Sequence, residues 1–225
     1  MTTDSHAMTP VEHSPVAALT HDERGGISNV ILGMLLFITS EVMFFAGLFA
    51  AYFNVRAGAP VWPPIIAGTS PPEQYHLEIL PLVGPATVLL ILSSFTCQFA
   101  VWAIRRGDRT AFLRNIGATF LIGIVFLVMQ AIDYTLLYGE GITLSTGTFG
   151  TTYFTLTGFH GAHVFAGVIM LGVVLYRGLA GQFSARHHDA VEAVSLYWHF
   201  VDVVWILLFS ILYLLPAKTP PGVAG

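Results

Sequence analysis

The chain has 225 residues, 55% of them hydrophobic and only 10% charged, with a formal net charge of −4 and a mean hydropathy of +0.72. That balance excludes a soluble domain of this length, and the slight negative charge gives no sign of nucleic-acid binding. It indicates an integral membrane protein, in which each crossing of a hydrocarbon core about 30 Å thick takes about 20 apolar residues per helix.

Residues 1–27 are polar and lack the basic region and small-residue cleavage site of a secretory signal. They read as a disordered cytoplasmic tail. His6, His13 and His21 lie there without regular spacing or cysteine partners, so no metal site is expected of them.

The first span, approximately 28–53, carries Glu41 at its middle among Phe37, Ile38, Phe44, Phe45 and Leu48. An ionisable side chain at bilayer depth costs roughly 2.5–3.5 kcal/mol on insertion scales, so it must face protein, a polar head group or water. Burial favours the neutral form of a carboxyl, whereas a cation or several donors favour the ionised form. No basic residue lies within a turn of Glu41, so its partner must come from another helix, another subunit or a lipid.

The connection from Asn54 to Leu80 holds Trp62, Pro63, Pro64, Pro71 and Pro72. These residues preset the backbone and place an aromatic at interfacial depth, over the exported end. The second span, approximately 81–103, contains the lone Cys97, which excludes an internal disulfide and reads as a small packing residue. The third, approximately 112–138, carries Gln130 and Asp133 near its exported end, read as a solvated or paired rim. The loop from Gly139 to Thr148 is rich in Gly and Thr and has no phosphate-binding glycine pattern.

In the fourth span, approximately 150–177, Gly158, Ala162 and Ala166 recur every four residues with Gly161 and Gly167 nearby, a pattern expected to let helix backbones approach closely. His160 and His163 stand three apart on adjoining surface of that helix. A haem between two helices would need a second axial imidazole, which only His199 supplies, so hydrogen bonding between helices or lipid contact is the preferred role. The fifth span, approximately 190–215, places His199 and Asp202 on one face, able to satisfy each other directly or through a neighbouring helix. A structural polar pair is the favoured reading, with a proton relay as the other.

All five spans exceed barrel-strand length and none alternates, so the fold class is all-α, a membrane bundle of five transmembrane helices over residues 28–215 with a short exported tail, 216–225. Arg24, Arg105, Arg106, Arg109, Arg114, Arg177 and Arg186 fall on one side and only Arg56 and Lys218 on the other. Basic loops stay inside, which makes the amino terminus cytoplasmic and the carboxyl terminus exported.

Five motifs then stand in a telling order: Ser40-Glu41-Val42-Met43-Phe44-Phe45, Trp62-Pro63-Pro64, Gly107-Asp108-Arg109, Gly158-Phe159-His160-Gly161-Ala162-His163-Val164, and Tyr197-Trp198-His199-Phe200-Val201-Asp202-Val203-Val204-Trp205. From about residue 23 to 215 the chain resembles subunit III of the haem-copper cytochrome oxidases. The resemblance implies a non-catalytic core subunit of a proton-pumping terminal oxidase in the bacterial inner (plasma) membrane. Haem and copper would reside in partner subunits I and II and none in this chain. It further implies packing against subunit I, bound phospholipid in a cleft, and support of proton uptake and turnover. By motif, Glu41 matches the family's buried cleft acid, and His160, His163, His199 and Asp202 match its polar interior positions.

The longest family members have seven helices, and this chain begins at what resembles their third, so another subunit or a fused segment would complete the cleft; an additional subunit or a cytochrome donor complex is a further implied partner. Five-helix forms occur among bacterial cytochrome c and quinol oxidases alike. Glu at position 41, where quinol oxidases often carry Asp, favours cytochrome c as donor. Two other classes compete: a small b-type cytochrome, which requires haem on His163 or His199, and a proton-coupled transporter working through Glu41 and Asp202, for which inverted repeats or broken helices are lacking.

Overall fold

The computed structural model describes residues 28–64 and 82–215. Five long helices fill them: α1 (Asn29–Gly58), α2 (Gly84–Arg105), α3 (Arg109–Gly139), α4 (Gly147–Leu179) and α5 (Asp189–Phe209), the last continued by a π-helical turn, Ser210–Leu214. All five are long and apolar enough to cross a membrane. The segment 1–27 with His6, His13 and His21, the segment 216–225, and Pro71 and Pro72 lie outside the described residues.

The helix ends follow local chemistry. Ser28 accepts a hydrogen bond from the Ile31 N–H, capping α1. The first helix runs on to Gly58, past the expected end near 53, because the chain keeps helical torsions until Pro60 forces Ala59 into extended backbone. Pro85 occupies the first turn of α2, where its missing N–H costs nothing. Between α2 and α3, Gly107 adopts φ +76°, the left-handed turn that closes one helix, and Asp108 caps the next through the Ala111 N–H at 2.9 Å. The helix starts earlier than expected at α4, where Thr146 Oγ1 receives the Thr143 N–H at 2.7 Å and compacts the turn. Gly150 is required there, since a Cβ on it would lie 2.1 Å from the Thr143 carbonyl oxygen.

The helices α2, α3 and α4 form an arc, each packed on the next, with α1 touching α4 only lightly, and α5 lies inside against α1, α2 and α4. The arc stays open, because α1 and α2 both pack on α5 without substantial contact with each other. Among the described residues Trp198 is the largest fully buried side chain. Its indole fits a notch made by Gly123 and Gly167: a Cβ at either would lie 2.7 or 2.9 Å from the ring. The indole Nε1–H donates to Ser93 Oγ at 2.9 Å, and about two helical turns further Trp205 Nε1–H donates to Thr87 Oγ1 at 3.0 Å. These two bonds fasten α5 to α2 without leaving a polar atom in hydrocarbon.

The expected small-residue seam needs correction. Ala162 and Ala166 are exposed, a Cβ at Gly161 would meet nothing within 4 Å and one at half-buried Gly158 only the Tyr134 hydroxyl at 3.7 Å, so the four-residue stripe brings no helix backbone close. Close approach occurs instead at Gly167 and Gly178, where aromatic rings, not a helix backbone, fill the space.

Candidate functional site

Glu41 of α1 and His163 of α4 meet at mid-helix, with Oε2 and Nε2 2.9 Å apart. The nearest turn supplies the imidazole's other bond: Nδ1–H donates to the Phe159 carbonyl at 2.7 Å, since a carbonyl only accepts. With Nδ1 already protonated, the contact to Glu41 needs one further proton on the line between the two atoms. Imidazolium with carboxylate, or imidazole with carboxylic acid, each satisfies it, and the pair is neutral as a unit. Phe45 packs edge-on to the His163 ring and Phe44 stacks on it, while Tyr197 donates its hydroxyl to the His163 carbonyl at 3.1 Å. Glu41 retains 19% and His163 15% side-chain exposure, so the pair borders the outer surface of the α1–α4 seam.

His160, three residues away, points elsewhere. It is fully buried, stacked on Trp205 at 4.9 Å and set edge-to-face with Phe126 at 6.0 Å, and neither ring nitrogen has a hydrogen-bond partner among the described residues. The two histidines of α4 thus lie on adjoining surface yet serve different neighbours, one in the core and one at α1.

No hydrogen bond joins His199 and Asp202 of α5 among the described residues. Ser94 of α2 stands between them: its hydroxyl donates to Asp202 Oδ2, and His199 Nδ1 lies 3.1 Å from Ser94 Oγ. The hydroxyl's single proton being spent on the carboxylate, Ser94 accepts from His199 Nδ1–H, which leaves Nε2 as the imidazole's acceptor. Asp202 Oδ1 is buried without a hydrogen-bond partner among the described residues. Ser94 escaped sequence reasoning because nothing distinguishes it from the neighbouring Ser93 and Thr96; its spacing one turn from Gln98 was the sole available signal.

Near the far end of α3, Asp133 accepts from the Tyr153 hydroxyl at 3.2 Å, and that hydroxyl also meets Tyr213 at 2.6 Å. Gln130 and Asp133 line a small cavity with Phe126, Met129 and Trp205. Trp62 is buried: it donates to the Tyr52 hydroxyl at 3.2 Å and packs edge-on to Phe149. Cys97 is buried in the α2 core. At the opposite end, Arg105 pairs with Glu192 at 2.7 Å, and His188 Nε2 lies 3.0 Å from the same carboxylate. No group of three or more His, Cys, Asp or Glu side chains is placed to hold a metal ion among the described residues.

The family model described as Cytochrome c oxidase subunit III matches residues 19–216. "Cytochrome c oxidase subunit 3" of Corynebacterium diphtheriae is 43% identical over 184 residues, covering 82% of this chain and 87% of that one. "Probable cytochrome c oxidase subunit 3" of Mycobacterium tuberculosis is 41% identical over the same span, with the same coverage. "Cytochrome c oxidase subunit 3" of the carp Cyprinus carpio is 38% identical over 187 residues, covering 80% of this chain and 67% of that protein.

Proposed function

The chain belongs to the cytochrome c oxidase subunit III family, and from that premise we propose that it is a non-catalytic core subunit of a proton-pumping terminal oxidase that accepts electrons from cytochrome c and reduces dioxygen. In this reading haem and copper reside in subunits I and II. The chain's own work is to stabilise subunit I, to seat phospholipid and to sustain proton uptake, in a bacterial inner membrane with its amino terminus cytoplasmic.

The observation that supports this best is the Glu41–His163 pair at the α1–α4 seam. About 18 Å of helix separates Glu41 from Asn29 and about 25 Å from Gly58, so the pair sits where lipid presents only hydrocarbon. A carboxyl and an imidazole that satisfy each other form a neutral unit, and acyl chains can lie against a neutral unit without a large desolvation cost. Lipid chains ordered along that seam would be held by packing against Phe44 and Phe159, whose rings meet edge-on at 5.0 Å. The remaining polar groups knit α5 to its neighbours, consistent with a scaffold that must stay closed while a partner turns over.

The test compares the oxidase purified with this chain and stripped of it. The proposal expects similar initial turnover, fewer cycles before inactivation and less co-purified phospholipid in the stripped form. Equal lifetime and equal lipid content would refute the sustaining role.

A further inference from the structure

The arc of helices leaves one side of α5 uncovered between α1 and α2. Val203, Ile206 and Leu207 are exposed along it, Val203 by 56%, as are Ile91 and Phe95 on the adjoining face of α2. An exposed apolar stripe in a membrane protein ordinarily means lipid. This one is interrupted by His199, which is only partly buried.

Depth decides what can cover it. About 15 Å of helix separates His199 from Asp189 and about 22 Å separates it from Leu214, which places the ring well inside the hydrocarbon. Its Nδ1–H is committed to Ser94, and Nε2 has no partner among the described residues. Gln98, one turn from Ser94 on α2, is also partly exposed, and its amide makes no hydrogen bond among them. Methylene groups satisfy neither side chain. A second copy of this chain packed on the same face would bring His199 against His199, acceptor against acceptor. A partner helix with a donor side chain satisfies the site.

Building on the reading as an oxidase subunit, we infer that the open face of α5, flanked by α1 and α2, is the docking groove for one transmembrane helix of a larger partner subunit, which presents a hydrogen-bond donor to His199 Nε2.

A photo-crosslinking amino acid at Val203, with one at the exposed Val125 of α3 as control, tests this in the intact complex in native membranes. Irradiation is expected to join position 203 to the large multi-span partner and position 125 to lipid. Co-purification with that partner, but adducts at 203 only to lipid or to a second copy of this chain, would overturn the groove while leaving the oxidase reading in place. Failure to co-purify with any oxidase subunit would overturn both. A second measurement isolates the polar contact: His199→Leu should lower the partner fraction retained in detergent about tenfold, whereas His199→Gln, which keeps an acceptor, should stay within about twofold of the wild type. Retention in the leucine variant equal to wild type would contradict the contact.

Discussion

His163 Nε2 lies 2.9 Å from Glu41 Oε2, across 122 residues of sequence and between two helices that otherwise barely touch. The contact explains how a carboxyl survives at the middle of the most exposed span. The position of α1 against α4 rests on that polar tie and on the rings of Phe44 and Phe45.

Glu41→Ala removes the acid and strands the His163 Nε2 at mid-bilayer. Assembly and the haem content of the complex are expected to persist, because α1 still packs on α5, while the number of turnovers before inactivation falls severalfold. Glu41→Gln, which can still hydrogen-bond, is expected to lie between. Oxygen consumption followed to exhaustion, with phosphate analysis of retained lipid, checks both; an unchanged lifetime and lipid content in the alanine variant would count against the role.

Ser94→Ala deletes the hydroxyl that serves both His199 and Asp202. Polar contacts between membrane helices are worth about 0.6–2 kcal/mol, so a loss of stability in that range is expected, and Ser94→Thr should recover most of it. Thermal or denaturant unfolding of the purified chain in detergent gives the comparison.

The glycine notch around Trp198 gives a sharper contrast. Gly123→Val would drive side-chain atoms into the indole and into Val168, already 2.7 and 2.8 Å from an added Cβ, and overpacking of this kind costs about 1–3 kcal/mol. Gly161→Ala meets open space and gains helix propensity, so its melting temperature is expected to hold or rise. Equal destabilisation by the two would show that the notch is not where the bundle is tight.

Arg109 donates to the Leu179 and Gly178 carbonyls at 2.8 and 3.3 Å, closing the end of α4 from the start of α3. Arg109→Ala is expected to cost about 0.3–1 kcal/mol, the value of a cation at a helix carboxyl end, and to speed amide exchange in the last turn of α4. Exchange read by mass spectrometry, unchanged there, would contradict the assignment.

The five helices were legible in the sequence because hydropathy over 20 residues is a local property, and their ends moved only where a proline or a glycine turn decided the matter. Glu41, His160, His163, His199 and Asp202 stood out for the same reason, as polar groups in apolar runs. Their partners did not, since pairing depends on helices far apart in the chain: His163 reaches α1 while His160, 60° around the same helix, turns into the core. Ser94 was invisible because a hydroxyl in a span is usually bonded to its own helix, as Ser93 is to the Leu90 carbonyl. The four-residue stripe of Gly158, Ala162 and Ala166 showed a face but not its direction, which the aromatic rings of α5 settled in favour of Gly167.

The central claim is that this chain works as a subunit of a larger oxidase, and purification from its own membranes in mild detergent, with identification of the co-purifying proteins by mass spectrometry, tests it most directly. Recovery with a large haem-bearing, multi-span subunit and a copper-bearing partner, in fixed ratio, is expected. Recovery of the chain alone, from membranes in which oxidase activity purifies intact elsewhere, would contradict it.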